Sequence, residues 1–199
     1  MKNILKSKKG LSTVVTTLII LVVSVLLATV VTYYAINITT NRMAQESLQM
    51  SNLHVWYNTT APTLGGTGWA EAAFTLINTG GKDVVLQSIT TRSQASTWSN
   101  VYYNASNTLT ISSISPTAPL SGPNGVATIS GTASSVKLTN ATYANGSTGV
   151  ITLKAGYTLV VYIMHPGSIG QNDVGTPVDV TVFTANAQWT QETNVQATQ

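Results

Sequence analysis

Cysteine is absent from the 199 residues, which excludes a disulfide framework and a thiolate metal site. Stability has to come from the core, from glycans or from assembly. Charge is scarce as well. Asp, Glu, Lys and Arg make up 8% of the chain, against about 25% in ordinary soluble domains, so the hydroxyls and amides of Ser, Thr and Asn must solvate the surface. Only two histidines occur, His54 and His165, far apart and without neighbouring carboxylates. Zinc and nucleophilic sites need several such groups to converge. The chain therefore reads as a non-enzyme with no cofactor.

The formal charge of +3 is misleading. Lys2, Lys6, Lys8 and Lys9 lie in the first ten residues; beyond them Arg42, Lys82, Arg92, Lys137 and Lys154 face Glu46, Glu71, Asp83, Asp173, Asp179 and Glu192, which leaves −1. Phosphate binding needs clustered Lys and Arg, so nucleic acid is not an expected partner.

What is present starts at "KSKKGLSTVVTTLIILVVS", Lys6 to Ser24, where a positive cluster gives way within two residues to an uncharged run that lasts until Asn41. From Val14 to Ile36 the sequence is almost wholly apolar, about 35 Å as a helix and enough to cross a hydrocarbon core of about 30 Å. The leading lysines, with only Arg42 just beyond, orient the N-terminus toward the cytoplasm and the rest outside. A secretory signal has a shorter apolar region and a small-x-small cleavage site after it, and "YYAINITTNRMAQES" offers none. Ile36, Thr40, Met43, Ser47 and Met50 recur at spacings of three and four, which predicts one rod from about Ser12 to Asn52.

Lys8-Lys9-Gly10 followed by Leu11-Ser12-Thr13 and an apolar helix resembles the class III signal of type IV pilins. The Leu-Ser-Thr-Val-Val start is similar to archaeal adhesion pilins and archaellins. The resemblance implies that a membrane-bound aspartic prepilin peptidase cuts between Gly10 and Leu11, with Lys6, Lys8 and Lys9 as the basic cluster of the removed leader. It also implies a single-pass membrane precursor, then an extracellular surface filament made of copies of the same chain and driven by an assembly ATPase and a membrane platform protein. Bacterial members usually carry a glutamate at the fifth mature position, where this chain has Val15, which favours the archaeal branch. Archaellin of a motility filament, and an uncut membrane-anchored β-domain such as a stator or binding module, are the alternatives.

After Asn52 the periodicity becomes alternating. "AEAAFTLINTGGKDVVLQSITTRS" reads as strand, Asn78-Thr79-Gly80-Gly81 turn and strand, a hairpin with Phe74, Leu76, Val84, Leu86 and Ile89 inward. Further strands are expected at 53–57, 98–103, 108–114, 126–130, 134–138, 149–153, 157–164 and 178–184, with "SPTAPLSGPNG" an exposed loop and "TQETNVQATQ" a loose tail. The chain is thus an α+β protein with a leader (1–10), a long N-terminal helix (11–52) and an immunoglobulin-like antiparallel β-sandwich head (53–199).

Five Asn-x-Ser/Thr sequons occur. Asn58, Asn104, Asn140 and Asn145 are candidate N-glycan acceptors; Asn37 lies in the rod, where a sugar would obstruct packing. Asp173 and Asp179, in a Gly- and Asn-containing segment, match no EF-hand loop and read as an ordinary turn.

Overall fold

A computed structural model describes residues 4–59, 68–131, 135–144 and 150–198. The chain divides into two compact units, 1–44 and 45–199.

The first unit is a single helix, α1 (Ile4–Ala44), of 41 residues and about 60 Å. Gly10 is its only glycine and it contains no proline, so nothing in the run breaks the ladder. Its many Val, Ile and Thr residues are mediocre helix formers in water; in an apolar medium the helix wins because it satisfies every backbone group internally.

The helix stops at Ala44, short of the expected Asn52. The Glu46 carboxylate accepts hydrogen bonds from Thr184 Oγ1 and Asn186 Nδ2, both at 2.6 Å, and the Ser47 carbonyl accepts from the amides of Thr79 (2.9 Å) and Gly80 (3.2 Å). These partners belong to the β unit, and they outcompete the helical pattern of Ser47 and Met50. Gly80 permits the approach, because a Cβ there would stand 3.1 Å from the Gln45 carbonyl oxygen and the Ser47 nitrogen.

The second unit contains β1 (Leu48–Asn58), β2 (Trp69–Asn78), β3 (Val84–Thr91), β4 (Gln94–Ala95), β5 (Val101–Ser106) and β6 (Ile111–Ile114). It continues with β7 (Asn124–Gly131), β8 (Ser135–Asn140), the short helix α2 (Ala141–Ala144), β9 (Ile151–Leu153), β10 (Thr158–Met164), β11 (Pro177–Thr184) and β12 (Gln188–Thr198). Single 3-10 turns occupy Trp98–Asn100 and Gln171–Asp173.

Hydrogen bonds join these strands in one path, β4-β3-β11-β12-β1-β2-β10-β5-β8-β7-β6, with β9 on β3. Every pairing is antiparallel except β1 with β12. The result is a large, antiparallel-rich sheet with an open path. An immunoglobulin-like sandwich would instead keep two separate sheets.

β2 and β10 are the centre, buried on both faces. One face presents Ala72, Phe74 and Leu76 with Leu159, Val161 and Ile163 to Val84, Leu86 and Ile89 of β3 and to Val180 and Val182 of β11. The other presents Ala73, Val160, Tyr162 and Met164 to Ile114, Ile129, Val136 and Leu138 of β6, β7 and β8. The two ends of the path therefore fold over opposite sides of the central strands. Phe74 is fully buried, and Phe74→Ala would cost about 3–5 kcal/mol.

Two further expectations change. β2 and β3 do not form a hairpin, since β2 pairs with β1 and β10 whereas β3 pairs with β4, β9 and β11. The Asn78–Gly81 stretch is a corner between layers. Asn78, with no exposed surface, donates through Nδ2 to the carbonyls of Lys82 (2.8 Å) and Leu153 (3.1 Å), and its Oδ1 accepts from the Gly80 amide at 3.0 Å. The C-terminal segment is no loose tail: β12 runs to Thr198 between β11 and β1.

Candidate functional site

Two features stand apart from ordinary packing. The first is α1. Ser12 to Arg42 is a candidate span of 31 residues, and its most apolar stretch of 18 has a mean hydropathy of 2.9 with none of it buried. It is hydrophobic all round, from Val14 to Ile38, which in a soluble protein is the signature of a buried or membrane-spanning helix. This is a single N-terminal helix long and apolar enough to span a membrane.

Its polar atoms fit such surroundings. The hydroxyls of Thr16, Thr17, Ser24, Thr29, Thr32, Thr39 and Thr40 each donate to a carbonyl three or four residues back, at 2.7–2.9 Å. A hydroxyl satisfied within its own helix has no unmet bond to lose on leaving water. Gly10, Leu11, Lys6, Lys8 and Lys9 all lie in the helical backbone of α1; their side chains are outside the described set.

The second feature, missed by sequence reasoning, is a buried carboxylate. Glu71 in β2 is 1% exposed, directly opposite Trp56 of β1 and Met164 of β10. Thr117, in the proline-rich segment between β6 and β7, donates its amide to Oε2 at 2.9 Å and its hydroxyl to Oε1 at 2.6 Å. Burial pushes the Glu71 carboxyl up to about 7, against the smaller opposing effect of the two Thr117 bonds.

The same segment is tied at further points. Tyr162 Oη donates to the Ser115 carbonyl (2.9 Å), Tyr102 Oη to the Gly122 carbonyl (3.0 Å), and the Asn140 amide to the Pro123 carbonyl (2.9 Å). Burial, and then the neighbouring Glu71, raise the Tyr162 hydroxyl well above its ordinary range, so it stays a donor. The segment expected as an exposed loop is mostly exposed and irregular, and it is also a strap pinned across the second core. The available signal was one acid in "WAEAAFTLIN", in phase with Trp69 and Ala73.

The remaining charged and imidazole groups are structural or scattered. Arg92 Nη1 reaches Asp173 Oδ1 at 2.9 Å and the Ser168 carbonyl at 3.1 Å. Asp173 Oδ2 accepts the Gly170 amide at 2.7 Å, and that bond, followed by the Arg92 guanidinium, lowers the Asp173 carboxyl. This clasp explains Asp173 as a turn residue. His54 stacks on Trp56 with centroids 5.2 Å apart, while His165 lies 6.2 Å from Trp69. Among the described residues no group of three metal-ligating side chains gathers.

The sequons separate by burial. Asn140 is 1% exposed; its Nδ2 donates to the Ser99 carbonyl at 2.6 Å and its Oδ1 accepts the Thr142 amide at 3.0 Å, so the folded chain encloses the nitrogen that would carry a sugar. Asn104, half-buried in β5, donates to the Lys137 carbonyl at 2.7 Å, and Asn58, half-buried, ends β1. Asn145 lies outside the described residues.

A scan against protein-family models finds no match, and a search of the curated proteins finds none.

Proposed function

We propose that this chain is a structural subunit of an archaeal type IV pilus, an adhesive filament whose core is built from copies of α1 and whose surface is built from the β unit. The observation that carries this reading is the all-round apolar helix with internally satisfied hydroxyls. Such a helix is stable in lipid as a precursor and equally stable when packed against identical helices with water excluded. Lys6, Lys8, Lys9 and Gly10 ahead of Leu11 support removal of the leader by a prepilin peptidase at the cytoplasmic face.

Assembly is then the work of a separate ATPase and membrane platform, and the final location is the cell surface. The immunoglobulin-like comparison for the β unit rests on its main core being enclosed between two β-layers. Asn58, Asn104 and Asn145 are the acceptors kept in this reading for glycans.

The second reading, an uncut single-pass anchor carrying an external β-domain, is favoured by the span itself. Replacing Gly10 with a bulky residue separates the two. A pilin carrying Gly10→Phe stays in the membrane and forms no surface filaments, whereas an uncut anchor keeps its normal amount, location and activity. An archaellin behaves as the pilin does in this test, and its deletion additionally abolishes swimming.

A further inference from the structure

Ala44 ends α1, and only Gln45, Glu46 and Ser47 separate it from β1. Tension between whatever holds the helix and the body of the β unit therefore enters through β1. That strand runs eleven residues, about 36 Å, from a near end where Leu48 faces Asn78 to a far end where Asn58 faces Trp69. It lies between β2 and β12, paired with β2 at both of its ends and with β12 from Val55 to Asn58. Hydrogen bonds between antiparallel strands lie across the strand axis, so a pull on Leu48 directed away from Asn58 loads them sideways and together. An edge strand drawn away from its neighbour releases them one at a time.

Side chains oppose sliding as well. Leu53, Val55 and Tyr57 enter the first core and Trp56 the second, so a displaced β1 drags buried apolar groups out of both at once. Between Ser51 and His54 the register shifts. Asn52 in that bulge has φ 50, and its Nδ2 donates to the Ile111 carbonyl at 3.3 Å. A bulge sets two residues against one, so the strand cannot slip along β2 and pair again in a new register.

The chain is also gripped before β1 begins. On one side Glu46 is bonded at 2.6 Å by Thr184 and by Asn186, where β11 turns into β12. On the other, the Ser47 carbonyl accepts the Thr79 and Gly80 amides and the Ser47 hydroxyl lies 2.8 Å from that of Thr79, where β2 passes into β3. Hydrogen bonds to a carboxylate are about twice as strong as neutral ones. A load arriving from α1 is thus divided between two connections of the β unit before it reaches Leu48.

We propose that the β unit is built to carry tension delivered through α1: β1 leaves its place only by shear, and Glu46 and Ser47 form a collar that spreads the load onto the β11–β12 turn and the β2–β3 corner. The inference goes beyond the filament reading and does not rest on it, because lipid and neighbouring helices would serve equally to hold α1.

The chain has no cysteine, so an introduced pair fixes the axis of pull. In optical tweezers the full chain in detergent is stretched through DNA handles on Gln45→Cys and Ser99→Cys. Ser99 lies toward the far end of β1, since it precedes β5, whose Val101 pairs with Ile163, Ile163 with Ala72, and Ala72 with Val55. A second preparation carries Ser112→Cys and Ser99→Cys, which loads β6, four residues long and paired with β7 alone among the described strands. At equal loading rate the first axis is expected to rupture at about twice the force of the second, because its bonds share the load. Glu46→Ala lowers the first force and leaves the second unchanged. Asn186 is exposed, so Asn186→Ala gives the same comparison should Glu46→Ala fail to fold. Rupture on the first axis at or below the force of the second would overturn the proposal, as would a collar variant that alters neither axis or weakens both alike.

Discussion

Glu71→Gln tests the energetic reading of the β unit. The carboxyl ionises near 4.5 when unfolded and near 7 when folded. Below pH 4.5 both states carry the proton. Between those values only the folded state holds it, so stability falls as pH rises; above about 7 both states have lost it and the loss is complete. At about 1.4 kcal/mol per pH unit, the interval is worth about 3 kcal/mol. For a unit of this size that is a melting shift on the order of 10 °C.

Glutamine keeps the geometry, because its carbonyl accepts the Thr117 amide and its NH2 donates to the Thr117 hydroxyl, with no charge to desolvate. The assay is thermal unfolding of wild type and variant in parallel from pH 4 to pH 8.5, followed by near-UV circular dichroism. Taking the difference between the two curves cancels every other titrating group. The curves should meet near pH 4.5, and the variant should melt higher by the full amount at pH 8. A variant that melts lower than wild type at pH 8, or a difference that does not change with pH, would refute burial as the dominant force on this carboxyl.

Thr117→Ala removes the 2.6 Å bond to Oε1 and with it an influence that lowers the Glu71 carboxyl. The variant should lose about 1–2 kcal/mol, and the midpoint of the pH-dependent stability change should move upward. Asn78→Ala strips three hydrogen bonds from a fully buried corner; a loss of about 3 kcal/mol, read as a lower urea midpoint, is expected. Leu26→Asp places a charge in the apolar span, at about 3 kcal/mol of insertion free energy, and alkaline extraction of membranes should release more of the variant than of the wild type.

The side-chain pattern was more legible than the strand partners. Phe74, Leu76, Val84, Leu86 and Ile89 do share one core, because alternation reports which face of a strand is apolar and says nothing of what lies beside it. The Asn78–Gly81 turn signal fits a hairpin and a corner equally well; the decision falls to the Asn78 side chain reaching Leu153, 75 residues away. β12 was hidden for a related reason. Its half-buried positions Trp189, Gln191 and Thr193 alternate with exposed Thr190 and Glu192, so most of the pattern is polar on both faces. Its pairing with β1 and β11 is carried by backbone.

The helix shows the opposite case. Its apolar span is explicit in composition, but its end is set by distant bonds from Glu46 to Thr184 and Asn186, which local spacing cannot report. The sequons were legible only as motifs, since the burial of Asn140 is set by distant packing that no local rule foretells. The strap held by Glu71 was legible as one acid on an apolar strand; its partner Thr117 lies 46 residues on.

The central claim is that α1 is cut ahead of its apolar run and kept as the core of a polymer. Surface filaments sheared from cells and mapped by mass spectrometry address it directly. The account predicts filaments built of this chain with Leu11 as the first residue; recovery of the chain solely from detergent-extracted membranes, as a monomer that still begins at Met1, would contradict it.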